Sequence, residues 1–354
     1  MKGVILHGGS GTRLRPITYT DVKQLLPLAG KPVSEYALMN LIELGIRDVN
    51  IVLGEIGSKE VRDYYGDGKK WGVNISYTFQ GKPMGIAHAI GLVKEFVGRD
   101  DFVVVLGDNY FQNGFLQLLE DFKDDKKDAF VAITEVSNPQ QFGVAEVVDG
   151  RIVRLVEKPK IPKSNYAVTG VYFLRSSIFP FIDSLKPSWR GELEITEAFQ
   201  SMIDSGLSIG YSVIKGWWKD TGTPEEFLSC NMMALEKVTA GVSSNSELGK
   251  YWRASLEEGV GIDASSKVVG PCFIGAGTQI VNSYIGPYSS IGRNCKIENS
   301  HIENSVIMDN VSVNLNSSTI IRDSLIGPST KIDSAGTGRK FLKFIVGRDS
   351  MVEV

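Results

Sequence analysis

The stretch Val4-Ile5-Leu6-His7-Gly8-Gly9-Ser10-Gly11-Thr12-Arg13, with Lys23-Gln24 ten residues beyond Arg13, decides how the N-terminal part of this chain is read. An apolar run that breaks into glycines is a buried strand ending in a turn. There the backbone can approach a phosphate chain closely, with amide N–H groups pointing inward. Arg13 and Lys23 are cations able to neutralise the charge on such a chain. The turn is not a Walker loop, because no Gly-Lys-Ser/Thr follows. Nor is it a dinucleotide fingerprint, since Leu14 stands where the third glycine belongs. A glycine turn after a strand is as often purely structural, so the flanking segments carry the decision.

Outward from this turn, Val49–Leu53, Phe102–Leu106 and Ala129–Ile133 read as further buried strands, separated by amphipathic segments such as Ser34–Leu44 and Ala87–Phe96. That rhythm predicts an α/β fold, a Rossmann-like mixed and mainly parallel sheet with helices on both faces. Ligands in such sheets gather at the carboxyl ends of strands, where the Gly8–Arg13 turn and Leu106-Gly107-Asp108-Asn109 both lie. After about Gly241 the pattern changes. Val242–Asn245 is polar and turn-rich, and aliphatic residues then recur at six-residue steps: Ile262, Val268, Ile274, Ile280; Ile285, Ile291, Ile297; Ile307, Val313; Ile320, Ile326, Ile332. One inward aliphatic residue per six, with Gly, Asn, Ser and Pro between, predicts a left-handed parallel β-helix rather than an irregular sandwich. The expected domains are residues 1–241 and 242–354, with Lys340–Val354 as a cap over the open end.

Composition excludes several classes. With 354 residues, 42% apolar and 22% charged, the chain has an ordinary globular balance. A net charge of −3 gives no case for nucleic acid or an anionic membrane. No apolar run approaches the length of a membrane span. Cys230, Cys272 and Cys295 form no zinc or disulfide spacing, and the strand-like first residues leave no room for a signal peptide, so a cytoplasmic location is expected. The three histidines, His7, His88 and His301, pair with no serine or cysteine nucleophile, which argues against triad hydrolysis and zinc catalysis. Phosphoryl or nucleotidyl transfer needs only phosphate binding, cations and a metal.

Candidate site residues follow. Asp108, at the end of a buried strand, needs a cation or a donor to meet it, and Asp220 interrupts Trp217-Trp218-Lys219-Asp220-Thr221-Gly222-Thr223 in a similar way. Two carboxylates with phosphate oxygens and water suffice for Mg²⁺; a turn-capping Asp108 is the plainer alternative. Glu157-Lys158-Pro159 offers a sugar contact and a phosphate contact, against the alternative of a surface ion pair. Arg190, beside Gly191, is a clamp for a second phosphate. In Gln80-Gly81-Lys82-Pro83-Met84-Gly85, Gln80 can pair with a pyrimidine edge and Gly85 can leave room for a ring.

Taken in order, these segments resemble the sugar-phosphate nucleotidylyltransferases, and among them the glucose-1-phosphate thymidylyltransferases. The shared stations are Gly8 to Pro16, Lys23-Gln24-Leu25-Leu26-Pro27, Lys31-Pro32, Gln80 to Ala87, Leu106 to Asn109, Phe142-Gly143-Val144, Glu157-Lys158-Pro159, Lys163 to Phe173, Arg190 to Thr196 and Trp218 to Thr223. The β-helix, ending in Val346-Gly347-Arg348-Asp349-Ser350, resembles that of the longer members. The resemblance implies that dTTP and glucose 1-phosphate are the substrates and Mg²⁺ the metal, held by Asp108 and Asp220. It implies that Gly8, Gly9, Gly11 and Thr12 cradle the triphosphate, with Arg13 and Lys23 on its β- and γ-phosphates. Gln80 and Gly85 would read the base, Gly143, Glu157 and Val168 the hexose, and Lys158 and Arg190 the sugar phosphate. His7 departs from the family's usual alanine and bears on base or ribose selectivity, or is simply a packed histidine. UTP use, a regulatory sugar-nucleotide-binding subunit, and an acyl-transfer site at His301 are the rival readings. The faces of the β-helix imply a homo-oligomer.

Overall fold

The computed structural model describes residues 1–9, 11–124, 127–239, 251–316, 319–334 and 340–354, so the expected linker at 242–245 lies outside it. The chain divides into two compact units: residues 1–10 with 34–218, and residues 11–33 with 219–354. Among the described residues no helix is long and apolar enough to cross a membrane.

The first unit is built on a nine-stranded sheet. Its strands are β1 (Lys2–His7), β2 (Asp48–Gly54), β3 (Asn74–Gly81), β4 (Phe102–Leu106), β5 (Ala129–Glu135), β6 (Gly143–Val148), β7 (Arg151–Glu157), β8 (Tyr166–Leu174) and β9 (Ile209–Val213). β1 pairs in parallel with β2 and β4, and β2 with β3. β8 runs antiparallel to β4 and β5, and its first half also meets β6, which pairs with β7. The sheet is therefore mixed, with the parallel part around β1 as expected.

Strand parity sorts the core. Val4 and Leu6 of β1, Val52, Val104, Tyr172 and Val131 project into one buried cluster with the helices α3 (Ile86–Gly91), α6 (Phe179–Asp183) and α7 (Ile195–Asp204), taking α1 as Val33–Glu43, α2 as Ser58–Tyr65, α4 as Lys94–Val97 and α5 as Leu116–Asp124. On the other face a Cβ on Gly3 would lie 2.9 Å from Leu41 of α1, and Phe122 of α5 packs on Phe130 and Phe173. Each fully buried aliphatic side chain contributes about 1.5–3 kcal/mol through removal from water. The amphipathic run Ala87–Phe96 is not one helix. It breaks after Gly91 into α3 and α4, with Val93 out of helical geometry.

In the second unit, α8 (Pro224–Val238) opens with a reciprocal cap, in which Thr223 accepts from the Glu226 N–H and Glu226 accepts from the Thr223 N–H. The C-terminal part is the left-handed β-helix. Parallel strands stack with offsets of one coil, Ile280 on Ile297, Ile285 on Ile302 and Ile291 on Ile307. The interior column is aliphatic, as the hexad pattern predicts, with one correction. Ile321, stacked on Ile302, occupies the interior, whereas Ile320 stacks on His301 outside that core. Corners are turned by residues in the left-handed region such as Asn282, Asn299 and Asn310, and the Asn282 carboxamide donates to Asn299 at 2.7 Å. The last strand, Met351–Glu353, continues the stack on Lys331–Asp333, so the C-terminal segment forms a further coil. All three cysteines are buried free thiols.

Candidate active site

At the carboxyl end of β1, the Gly107 N–H donates to the Leu6 carbonyl at 2.9 Å, which places the Asp108 segment beside His7 and Gly8. Asp108 is half-buried, and its Oδ1 accepts from Asn109 Nδ2 at 2.7 Å. Asn109, itself buried, accepts the Trp218 indole N–H on its other carboxamide atom at 2.8 Å. The carboxylate is therefore aimed by a carboxamide that is fixed in turn by a buried ring. A Cβ on Gly170 would lie 2.5 Å from Asn109 Oδ1, so that strand also has to be bare there.

His7 is buried, and neither of its ring nitrogens has a hydrogen-bond partner among the described residues. Burial pushes its pKa down to about 3, with the Asp108 charge opposing, so the imidazole is neutral at physiological pH. Its ring meets Tyr65 edge-on, with centroids 6.0 Å apart.

Gln80, at the end of β3, is close enough to Gly8 that a Cβ there would sit 3.2 Å from its Oε1. Its Nε2 donates to the Gly85 carbonyl at 3.2 Å and faces His88 Nδ1 at 3.2 Å. Gly85 has φ +101°, and a Cβ would lie 2.4 Å from the Leu193 carbonyl oxygen. The requirement for glycine is thus already set by the backbone of Leu193, whose N–H donates to Met84 O at 2.8 Å.

A second cluster gathers four of the expected sugar-site residues. Gly143 and Glu157 are antiparallel partners, and a Cβ on Gly143 would lie 2.7 Å from Thr196 Cγ2, 3.1 Å from Glu157 Oε2 and 3.8 Å from Val168 Cβ. Thr196 Oγ1 donates to Glu157 Oε2 at 3.3 Å. Arg190 lies 3.5 Å from Glu157, 3.2 Å from Glu192 and 3.2 Å from Glu194, so the expected phosphate clamp is engaged by carboxylates. Burial raises the Glu157 pKa, and the neighbouring Glu194 adds to it, against Lys158, Arg190 and Thr196. Lys158 has φ +40°, outside the right-handed helical region as its Pro159 neighbour requires, and donates its N–H to Phe142 O at 3.0 Å. In the sequence, Asn109, Thr196 and Trp218 stand only as members of longer motifs. Nothing local announces that they orient carboxylates.

The second unit carries Gly11, Thr12, Arg13, Lys23 and Asp220. Gly11, in the left-handed region, accepts from Thr18 Oγ1 at 2.7 Å, and Lys23 is 8% exposed. The more exposed Arg13 pairs with Asp220 at 3.6 Å. A Cβ on Gly222 would lie 2.7 Å from the Arg13 guanidinium and 2.8 Å from both Asp220 Oδ2 and Glu226 Oε2, so glycine lets these three groups converge. Among the described residues no three His, Cys, Asp or Glu side chains form a metal cluster. Single carboxylates with hard oxygen donors are the kind of ligand that magnesium takes alongside phosphate and water.

Residues 2–237 match the nucleotidyl transferase family and residues 268–352 the GMPPB C-terminal domain. The chain is 44% identical over 364 residues to a low-salt glycan biosynthesis nucleotidyltransferase of Haloferax volcanii, covering 100% of both chains. It is 41% identical over 358 residues to a glucose-1-phosphate thymidylyltransferase of Streptomyces antibioticus, covering 100% of this chain and 99% of that one. A solved UDP-glucose pyrophosphorylase complexed with UDP-glucose superposes with a TM-score of 0.60 at 27% identity, over 67% of this chain and 98% of that one. With the mixed sheet, the aimed Asp108, the Gly143–Glu157–Val168 cluster and the β-helix already in place, these likenesses show that the chain belongs to the nucleotidyl transferase family, as a long-form sugar-phosphate nucleotidylyltransferase.

Proposed function

We propose that the enzyme transfers a thymidylyl group from dTTP to glucose 1-phosphate, releasing pyrophosphate and forming dTDP-glucose. The observation that carries this reading is the convergence of Gly143, Glu157, Val168 and Thr196, with Lys158 and Arg190 beside Glu157. Gln80, which presents both donor and acceptor groups, supports recognition of a pyrimidine edge. The relatives named as glucose-1-phosphate thymidylyltransferases support the choice of sugar and base.

The nucleophile is a phosphate oxygen of the sugar phosphate, already an anion, so no strong base is needed. Lys158 and Arg190 hold that phosphate, Arg190 exchanging the partly exposed Glu192 for it. Arg13 and Lys23 hold the β- and γ-phosphates that depart, while Gly8, Gly9, Gly11 and Thr12 supply backbone donors. Asp108 and Asp220 are the magnesium ligands of this reading; the ion supplies neutralisation of phosphate charge when bound. The chain's own contribution is to hold two anions about 3–3.5 Å apart and in line. Self-association through the β-helix is part of the proposal.

Pyrophosphate release from glucose 1-phosphate and Mg²⁺, measured separately with dTTP, UTP, CTP, GTP and ATP, tests the reading. Preference for dTTP supports it. Preference for UTP moves the base choice, because thymine and uracil differ by one methyl worth about 1–3 kcal/mol. No turnover with any of the five, with sugar-nucleotide binding retained, replaces it by the regulatory alternative.

A further inference from the structure

We propose that the β-helix is a positioning part of the active site: it anchors the loop 11–33, which carries Arg13 and Lys23, on either side of Lys23, with Asn231 holding Ala29 against its coils and Arg348 holding Asp21. The proposal rests on the reading above, in which Arg13 and Lys23 grip the triphosphate.

The loop belongs to the same compact unit as the β-helix. Its C-terminal half is a tight hairpin, Pro27-Leu28 against Lys31-Pro32, turned by Ala29 at φ +46° and Gly30 at φ +83°. Ala29 has a side chain in a conformation that costs energy, so something must hold the tip. Asn231 of α8 does so. It is fully buried, and its Oδ1 accepts from the Ala29 N–H at 2.9 Å and from Ser290 Oγ of the β-helix at 2.7 Å. Its Nδ2 donates to the Tyr288 carbonyl, also in the β-helix, at 3.2 Å. The Phe273 ring of the β-helix closes over Gly30 so tightly that a Cβ there would sit 2.2 Å from Cζ. One carboxamide thus ties the loop tip, α8 and one coil together, and Phe273 of the neighbouring coil closes over the tip.

The other anchor lies at the chain's end. Arg348, in the last coil, pairs with Asp21, whose side chain is only 13% exposed. A Cβ on the preceding Gly347 would lie 3.2 Å from the Pro16 carbonyl oxygen. Lys343 of the same coil bonds Glu225 of α8 at 3.1 Å. N-terminal to Asp21, Thr18 fastens Gly11, and a Cβ on Gly11 would be 3.4 Å from Lys23 Cβ. Lys23 therefore sits between the two anchors, and the Gly11 turn that leads into Arg13 is tied to the same loop. Misplacing a binding group by about 1 Å can cost 100-fold in rate, so such anchoring has catalytic weight.

The test uses the full-length enzyme with the nucleotide it turns over. Arg348→Ala, Arg348→Lys and the exchanged pair Asp21→Arg with Arg348→Asp are compared with Lys331→Ala, a surface control whose side chain pairs with Asp333. A partly exposed pair adds little to stability, so the melting temperature should barely move. Arg348→Ala is expected to lower kcat/KM for the nucleotide about tenfold, with KM for the sugar phosphate nearly unchanged. Arg348→Lys and the exchanged pair should recover part of the loss, and amide exchange across residues 11–33 should quicken several-fold in Arg348→Ala alone. Unaltered nucleotide kinetics and unaltered exchange in Arg348→Ala overturn the proposal. Should the wild-type enzyme turn over no nucleotide, the functional reading fails separately, and the exchange measurement still decides the anchoring.

Discussion

Asn109 donates to Asp108 at 2.7 Å while it accepts the indole N–H of Trp218, so a buried carboxamide sets the direction of the carboxylate at the end of β4. The two residues should therefore separate in mutational tests. Asp108→Asn keeps the local packing and should lose about 100-fold or more in kcat with a modest change in sugar binding. Asn109→Ala leaves the Trp218 N–H without its acceptor and should cost about 1–3 kcal/mol of stability as well as turnover. Paired kcat and thermal-melt measurements check both, and unchanged kcat in Asp108→Asn would remove that residue from the proposed magnesium ligands.

Gly143→Ala places a methyl 2.7 Å from Thr196 and 3.1 Å from Glu157. Overpacking of this kind costs about 1–3 kcal/mol. The sugar-phosphate KM should rise about tenfold while the nucleotide KM holds, because the clash sits among the residues proposed to contact the hexose. Equal effects on both constants would place the cluster elsewhere in the reaction.

The Glu157 carboxyl is held above its ordinary value by burial, with Glu194 adding to it. The native state therefore binds this proton more tightly than the unfolded chain does. The group's contribution is greatest below the ordinary carboxylate value and is lost as pH rises through the raised one. As pH rises from the ordinary carboxylate value through the raised one, wild type should lose stability relative to Glu157→Gln, which has no such titration. Melting curves of the two proteins across that range decide the point, and a constant difference contradicts it.

Asn231→Leu keeps the branched shape of the buried carboxamide but strands the Ala29 N–H and the Tyr288 carbonyl. A loss of about 2–5 kcal/mol is expected, since unsatisfied buried groups bear their full desolvation cost. Urea unfolding gives the number directly.

Much of this architecture is legible in the chain. Val4–Leu6, Val49–Leu53, Phe102–Leu106 and Ala129–Ile133 announce themselves because strands buried on both faces read as unbroken apolar runs. The β-helix announces itself through its hexads, yet counting by six fails at Ile320. The coil from Ile285 to Ile302 spans 17 residues and that from Ile302 to Ile321 spans 19, so the interior position moves to Ile321. At the site, Gly143, Glu157 and Val168 are nameable in sequence, and the structure brings them together. Thr196, Asn109 and Trp218 are not, because their roles come from neighbours far along the chain. His7 stands out in sequence as a departure, but only packing shows that its imidazole is buried with no hydrogen-bond partner among the described residues. That Ala29 and Gly30 lie under Asn231 and Phe273 is likewise beyond any local pattern.

The membership of residues 11–33 in the β-helix unit has a practical consequence for recombining such enzymes. A hybrid that exchanges only the C-terminal segment between two long-form relatives would join a phosphate loop to foreign coils. It would have to rebuild the seat of Ala29 and Gly30 and the Asp21–Arg348 pair. The transferable cassette is discontinuous: the N-terminal loop, α8 and the coils travel together, and a crossover drawn after α8 cuts through it.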